Sequence, residues 1–409
     1  MEKSISTEKV SNHIHNDIAF SILSKLPLKS LKRFSCVHKS WSRLFENPNF
    51  MNMYRNNVIS SEDDGSCLLL QQTLPYPHYH SHMLYLLSGE RFENKVKLGS
   101  PTPFRKSDNP GFILGPVING IVCLYQSGTN VVLWNPTNGE FKVLPESPTE
   151  LEPSVRYEIE LERLHGFGYD SVSDDYKVIR HVQYELNLSD YENDDSDFEG
   201  DALSDYESDA VSLPTSMSRD DVWEIYSLRS NSWRKLDLDM PCGMRTSVGV
   251  YVYLNGACHW WDDDDDDDND AYLVSFDLSK EVVCITPMPS TKIVNFDSGL
   301  EMRHLTVLND HIALISYFEL SATFHISILG EVGVKESWTK LFILTLPGIH
   351  HPIGEGRNGD LFFRRDDNKL VWFNLRTQMM EELGIKGQMH CCQVVIYKES
   401  HLSLGGLNG

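Results

Sequence analysis

One hairpin pattern recurs along most of the chain and constrains its fold more than any other feature. In Trp134-NPTNGE-Phe141, Tyr226-SLRSNS-Trp233, Phe276-DLSKEV-Val283 and Phe373-NLRTQM-Met380, an aromatic residue is followed seven positions later by another apolar one. Leucine follows three residues further on at Leu144, Leu236 and Leu383. A fifth copy, Ile328 to Trp338 with Leu341, has a turn three residues longer and keeps that step of three. Most copies are preceded by a turn dipeptide and an apolar strand: Asn119-Gly120 before IVCLY, Asn255-Gly256 before ACHWW, Asn309-Asp310 before HIALIS and Asn358-Gly359 before DLFFRR. Asparagine-glycine favours the type I′ turn of a two-residue hairpin. The second copy is expected to use Gly166 and Gly168 in that role.

The copies begin at 134, 226, 276, 328 and 373, so their spacings are 92, 50, 52 and 45 residues. Removing the polar, acidic stretch 183–220, 38 residues long, brings the first spacing to 54. A period of about 40 to 50 residues with several short strands per unit predicts a β-propeller, whose ring of four-stranded blades leaves few exposed sheet edges. The strand-like CLLLQQ, HMLYLLS and KVKL within 67–98 supply a sixth unit, and QVVIY at 393–397 a strand that closes the ring. The expected domain is an all-β propeller of about six blades over 67–404, with acidic insertions at 183–220 and 262–270.

Ahead of it, 16–45 reads NDIAFSILSKLPLKSLKRFSCVHKSWSRLF and has helical periodicity instead. Ile18, Ile22, Leu23 and Leu26 follow an N-cap at Asn16 or Asp17, and Pro27 is expected to end that helix at Leu26. Leu28, Leu31 and Phe34 predict a second short helix. Trp41, Leu44 and Phe45 predict a third, closed by Pro48. The fold class is therefore α+β multidomain: residues 1–12 disordered, a three-helix module over 13–58, a polar linker over 59–66, then the propeller. So small a module needs a further surface to complete its burial.

The segment ILSKLPLKSLKRFSCVHKSW resembles an F-box, the module that binds a Skp-type adaptor of a cullin ubiquitin ligase. The resemblance assigns adaptor contact to Ile14, Ile18, Ile22, Leu23, Leu26, Pro27, Leu31, Val37 and Trp41, with Lys29, Lys39 and Arg43 as a polar rim. Ile14-His15 stands where the family usually has leucine-proline, so the backbone restriction of proline is missing there. A helix-turn-helix DNA reader is the competing reading, because Lys25, Lys29, Lys32, Arg33, Lys39 and Arg43 make the module basic. Such a reader needs polar base-reading side chains on its second helix, and the faces here are apolar. LWNPTNGEFKVLP, HGFGYDSVSDDYKVIR, YSLRSNSWRKL, NGACHWW, FDLSKEVVCITPMP, VKESWTKLF and YKESHL resemble, in order, the F-box-associated, kelch-like domain of plant F-box proteins. Together the resemblances imply the non-catalytic substrate-recognition subunit of an SCF-type ligase. The F-box would hold the adaptor, and through it a cullin, while the propeller holds a target protein. A carbohydrate-binding or carbohydrate-processing propeller is the alternative.

The net charge of −23 over 409 residues is concentrated. Residues 185–209 carry eleven acids and no base, 262–270 carry eight more, and without these nineteen the charge is −4. That distribution argues against nucleic acid or an anionic membrane as partner of the large domain. The 185–209 segment is too polar to offset its ordering entropy and is expected to be disordered and removable. The apolar run 312–315 is far short of the roughly 20 residues of a membrane span. The start MEKSISTEKV is no signal peptide. Eight cysteines without paired spacing fit a reducing compartment, and the reading is a soluble protein of the cytoplasm, the nucleus or both.

No G-x-S-x-G, P-loop, H-E-x-x-H or C-x-x-C motif occurs, and Gly166-Phe167-Gly168 lacks the third glycine of a nucleotide loop. His78, His80 and His82 alternate among prolines and tyrosines without a further ligand type at matching spacing. His390-Cys391-Cys392 places adjacent cysteines on opposite strand faces. The aspartates 262–268 lack the spaced ligands and glycine of a calcium loop. No metal or cofactor is expected. Trp260 and Trp261 are the candidate target contacts, since strand alternation buries one and leaves the other accessible.

Overall fold

The computed structural model describes residues 16–404 except 27, 37–40, 42, 48, 51–52, 55–66, 74–81, 100, 102–111, 127–129, 148–156, 187–219, 239, 241–250, 264–270, 290–299, 357–358, 388–391 and 401–403. The expected disordered N-terminus at 1–12, the linker at 59–66 and the 185–209 acidic segment beyond Leu186 lie outside the described residues.

The N-terminal module begins with α1 (Asn16–Leu23) and α2 (Leu28–Ser35). The first helix ends at Leu23, short of the expected Leu26. Its last turn tightens instead, with Lys25 N–H donating to Ile22 O at 3.2 Å and Leu26 N–H to Leu23 O at 3.0 Å. The expected third helix is reduced to a 3₁₀ turn, Leu44–Glu46. Helical residues resume at Asn49 and Phe50, whose N–H groups donate to Asn47 Oδ1 at 2.9 and 3.2 Å. That is side-chain N-capping, and Asn47 marks a helix start rather than the end of the preceding helix; Pro48 itself lies outside the described residues.

From Cys67 onward the described chain forms six four-stranded antiparallel sheets. The first holds β1 (Cys67–Thr73), β2 (His82–Ser88) and β3 (Asn94–Leu98). The second holds β4 (Phe112–Ile113), β5 (Val122–Gln126), β6 (Asn130–Trp134) and β7 (Phe141–Val143). The third holds β8 (Tyr157–Asp170), β9 (Asp175–Leu186), β10 (Asp220–Ser227) and β11 (Ser232–Leu236). The fourth holds β12 (Tyr251–Leu254), β13 (Ala257–Asp263), β14 (Ala271–Asp277) and β15 (Val282–Pro287). The fifth holds β16 (Leu300–Leu308), β17 (His311–Phe318), β18 (Thr323–Ile328) and β19 (Thr339–Thr345). The sixth holds β20 (Ile349–Glu355), β21 (Asp360–Arg365), β22 (Lys369–Asn374) and β23 (Met380–Lys386). The last strand, β24 (Cys392–Tyr397), returns to the first sheet and pairs with β1. The first strands of neighbouring sheets touch along β8, β12, β16, β20 and β24, so the sheets form a six-bladed propeller closed by the C-terminal strand.

The recurring hairpin is the third-to-fourth strand connection of the second to sixth blades. Trp134 pairs with Phe141, Tyr226 with Trp233, Phe276 with Val283 and Phe373 with Met380. The seven-residue step is thus a cross-strand register. The fifth copy is shifted by a bulge between Ile326 and Ser327, and Ile328 pairs with Thr339. Asn119-Gly120, Asn255-Gly256 and Asn309-Asp310 all have positive φ at both residues, as a type I′ turn requires. Gly166 and Gly168 lie inside β8 and form no turn; that turn falls at 171–174. A Cβ on Gly166 would meet Cys258 at 2.7 Å, and one on Gly168 would meet Leu278 at 2.4 Å, so these glycines let the third and fourth blades approach.

Both faces of the inner strands are covered by neighbouring blades, which is why those strands read as nearly unbroken apolar runs, whereas outer strands such as β3 and β7 are largely exposed. In β1, Leu68 and Leu70 pack toward the sixth blade and Leu69 toward the second. In β17, Ile312 and Leu314 pack toward the fourth blade and Ala313 and Ile315 toward the sixth. This is the two-residue alternation of a pleated strand. Both acidic insertions are narrower than the sequence implies: Tyr184 pairs with Asp220, and Asp262 and Asp263 with Tyr272 and Ala271.

Candidate functional site

The antiparallel order sorts the connections onto two ends of the propeller. First-to-second and third-to-fourth strand turns share one end, and these are mostly short. At the opposite end lie the strand ends joined by the second-to-third connections and by the links between blades, which include the ends flanking 99–111, 144–156, 187–219, 237–250, 264–270 and 288–299. The strand ends that flank the two acidic runs belong to adjacent blades there. Cys67 opens β1 at the short-turn end, so the N-terminal module joins the propeller at that end.

Within the module, Ala19 and Leu23 of α1 and Leu31 of α2 are buried together with Leu44, Phe50 and Tyr54. Phe50 stacks on Tyr54 with ring centroids 6.0 Å apart and meets Phe20 edge-on at 5.6 Å. These residues share one apolar cluster with the seam between the fifth and sixth blades. On the other side of α1, Ile18 and Ile22, one helical turn apart, are 57% and 56% exposed. Phe34 is also exposed and meets the half-buried Trp41 edge-on at 6.1 Å. Lys25, Arg33 and Arg43 of the same module are also exposed.

The structure therefore divides the expected adaptor contacts. Ile18 and Ile22 face outward, Leu26 and Trp41 are half-buried, and Leu23 and Leu31 lie inside the module's own core. Ile14, Pro27, Val37 and Lys39 lie outside the described residues. Phe34, which sequence reasoning gives only to helix periodicity, adds to the outward surface.

Of the candidate target contacts, Trp260 is a core residue between the third and fourth blades, and Trp261 is half-buried with the Arg303 guanidinium 5.7 Å from its ring. Trp260 stacks on Trp223 at 5.9 Å, and His165 lies 5.1 Å from it. Burial, with His181 and Arg163 nearby, holds the His165 pKa well below the ordinary imidazole value. Burial likewise brings His259 down to about 4; its Nδ1 lies 2.8 Å from Ser275 Oγ.

A buried polar network joins the same two blades. Asp170 accepts from Val172 N–H at 2.9 Å, Ser173 Oγ at 2.6 Å and Lys177 Nζ at 2.8 Å, while Ser279 of the fourth blade adds its hydroxyl. Burial alone would raise this carboxyl, but the bonds from Lys177, Ser173 and Ser279 hold it far below the usual carboxylate range. Arg180 pairs with Glu224 at 2.6 Å and lies 4.3 Å from the Trp233 ring. Trp233 Nε1 donates to Pro145 O at 2.8 Å, and Trp338 Nε1 to Pro287 O at 3.1 Å, so two blades each hook the strand end of the preceding one. Sequence reasoning assigns neither tryptophan this role; the prolines two residues or less from those strand ends are the signal. Among the described residues no cluster of three or more His, Cys, Asp or Glu is arranged to hold a metal, and no helix is long and apolar enough to cross a membrane.

Residues 12–52 match the F-box domain, and residues 117–403 match the F-box associated beta propeller domain. The second match begins after the first four strands; β1 to β3 of the first blade and β4 of the second lie ahead of it. F-box protein CPR1 of Arabidopsis thaliana is 26% identical over 390 residues, covering 90% of this chain and 84% of that protein. An F-box/kelch-repeat protein of the same plant is 25% identical over 340 residues, covering 80% and 78%. The matched propeller domain is described without the kelch designation expected from the sequence. A solved oligogalacturonate lyase in complex with manganese is 12% identical, covers 77% of each chain and reaches a TM-score of only 0.39, too low to carry an argument. With more than half its length matched to that propeller domain, the chain belongs to the F-box associated β-propeller family and carries an F-box ahead of the propeller.

Proposed function

We propose that the chain is the non-catalytic substrate receptor of an SCF-type cullin ubiquitin ligase. Its F-box docks a Skp-type adaptor, and its propeller holds a target protein. The observation that carries this reading is the surplus apolar surface of α1: the module's core is already filled by Leu23, Leu31, Leu44, Phe50 and Tyr54, yet Ile18 and Ile22 remain outside it. An exposed i, i+4 apolar pair with a basic rim fits a helix-binding partner surface of acidic character. In this assignment Ile18, Ile22, Phe34 and Trp41 touch the adaptor, with Ile14, Val37, Pro27 and Lys39 extending the contact. Leu23 and Leu31 hold the helices in place.

The target is assigned to the end with the long connections, opposite the F-box, because binding residues concentrate on loops carried by a rigid scaffold. Trp261, with Arg303 beside it, is the candidate contact retained; Trp260 serves the core. Work of this kind places the protein in the cytoplasm or nucleus, which imaging of a fluorescent fusion would test. The function is tested by co-expression with a Skp-type adaptor and cullin. Co-purification of both with the wild type, and loss of both with Ile18→Ser/Ile22→Ser, is the expected result. Sugar binding without adaptor recovery would favour the carbohydrate alternative.

A further inference from the structure

Ten residues, 329–338, join β18 to β19, where the other blades use four to six at that position. The extra length is ordered by its own hydrogen bonds. Ser337 Oγ is 2.9 Å from Glu331 O and 2.7 Å from Val334 O, and Glu331 N–H donates to it at 3.0 Å. Gly333, at φ 85°, donates its N–H to Thr286 Oγ1 of β15 at 2.7 Å. A 3₁₀ turn, Lys335–Ser337, closes the loop. Tied to itself and to the fourth blade, the loop holds Val332 and Val334 outward, each 39% exposed. Two apolar side chains kept out of the core by a fixed backbone are preorganised for a partner, because little ordering entropy is left to lose on binding.

The loop lies beside the F-box. Glu331, directly before Val332, is 4.0 Å from Arg33 of α2, and Arg33 directly precedes the exposed Phe34. An exposed pair at that distance contributes little energy; here it records that the loop and α2 are neighbours. The buried residues of the F-box and those of the fifth and sixth blades also form one apolar cluster, which seats the module on this side of the ring.

We infer that the adaptor-docking surface is composite: a Skp-type adaptor covers Val332 and Val334 of the fifth blade together with Ile18, Ile22 and Phe34 of the F-box. This rests on the adaptor reading above and deepens it. A surface that spans both parts fixes the angle between adaptor and propeller, and so the position in which a bound target is presented.

The test uses the full-length chain and a recombinant Skp-type adaptor in titration calorimetry. Val332→Ser/Val334→Ser is expected to weaken Kd about fivefold to tenfold with an unchanged melting temperature. Backbone amides of 330–338 should exchange more slowly in the complex. Val332→Thr/Val334→Thr, nearly the same shape, serves if the serine variant disturbs the loop. If Kd is unchanged by the loop variants while Ile18→Ser/Ile22→Ser loses binding, the composite surface is wrong and the F-box reading stands. If the wild type itself does not bind the adaptor, both fall.

Discussion

Removing the two outward isoleucines should separate docking from folding. Full burial of an isoleucine side chain stabilises by about 1.5–3 kcal/mol. In the free chain Ile18 is 57% and Ile22 56% exposed. About 1–1.5 kcal/mol per residue therefore remains to be gained against a partner, or about 2–3 kcal/mol for the pair. Ile18→Ser/Ile22→Ser should then weaken adaptor binding by about thirtyfold to 150-fold. The melting temperature should stay unchanged, because surface substitutions of this kind fall within about 0.5 kcal/mol. Leu31→Ala is the counterpart. Leu31 is fully buried, so its truncation leaves a cavity and should cost about 2–5 kcal/mol of module stability. Calorimetric titration with adaptor, paired with thermal melts, reads both effects. Undiminished adaptor affinity in the double isoleucine variant would refute the assignment of that face.

Asp170→Asn should destabilise the propeller by about 2–3 kcal/mol, because it removes the nearer of the two carboxylates on the buried Lys177 and leaves only Glu281, 3.7 Å away; a melt within a degree of wild type would show that the network is dispensable. Stability should also fall as pH drops below about 6.5, the unfolded imidazole value. His165 and His259 stay neutral in the native state, so the unfolded chain binds more protons, and each adds a slope of about 1.4 kcal/mol per pH unit. For His259 this window closes near 4, its folded value, and urea midpoints measured from pH 7 to 5 that do not move would contradict it. Replacing 187–219 with Asn-Gly should shift the melting temperature little, since Tyr184 and Asp220 already pair across its base. A large fall would mean that the segment contributes to the third blade.

Much of the propeller was legible because its signals are local. The seven-residue step predicts Trp134 opposite Phe141 and Phe373 opposite Met380, and asparagine-glycine predicts where the hairpins turn. The closing strand was legible as an apolar run left over at the C-terminus. Gly166 and Gly168 look like a turn in the sequence because the reason for them, close approach of Cys258 and Leu278 from the next blade, appears only in three dimensions. On α1, periodicity marks Ile18, Ala19, Ile22 and Leu23 alike as apolar, and it cannot say which pair faces the module's own core. Pro48 reads as a stop in the sequence, whereas Asn47 caps a helix that follows it, so the expected third helix falls out of register. The seat of the F-box on the fifth blade has no local signature: Arg33 and Glu331 are remote in sequence and carry no motif.

In the proposed assembly one chain joins an adaptor to a separate target-holding propeller. The most direct measurement is the mass of the complex that full-length chain forms with purified Skp-type adaptor and cullin, by size-exclusion chromatography with light scattering. A single peak with one copy of each is expected. Elution of the chain apart from an intact adaptor–cullin pair would contradict it.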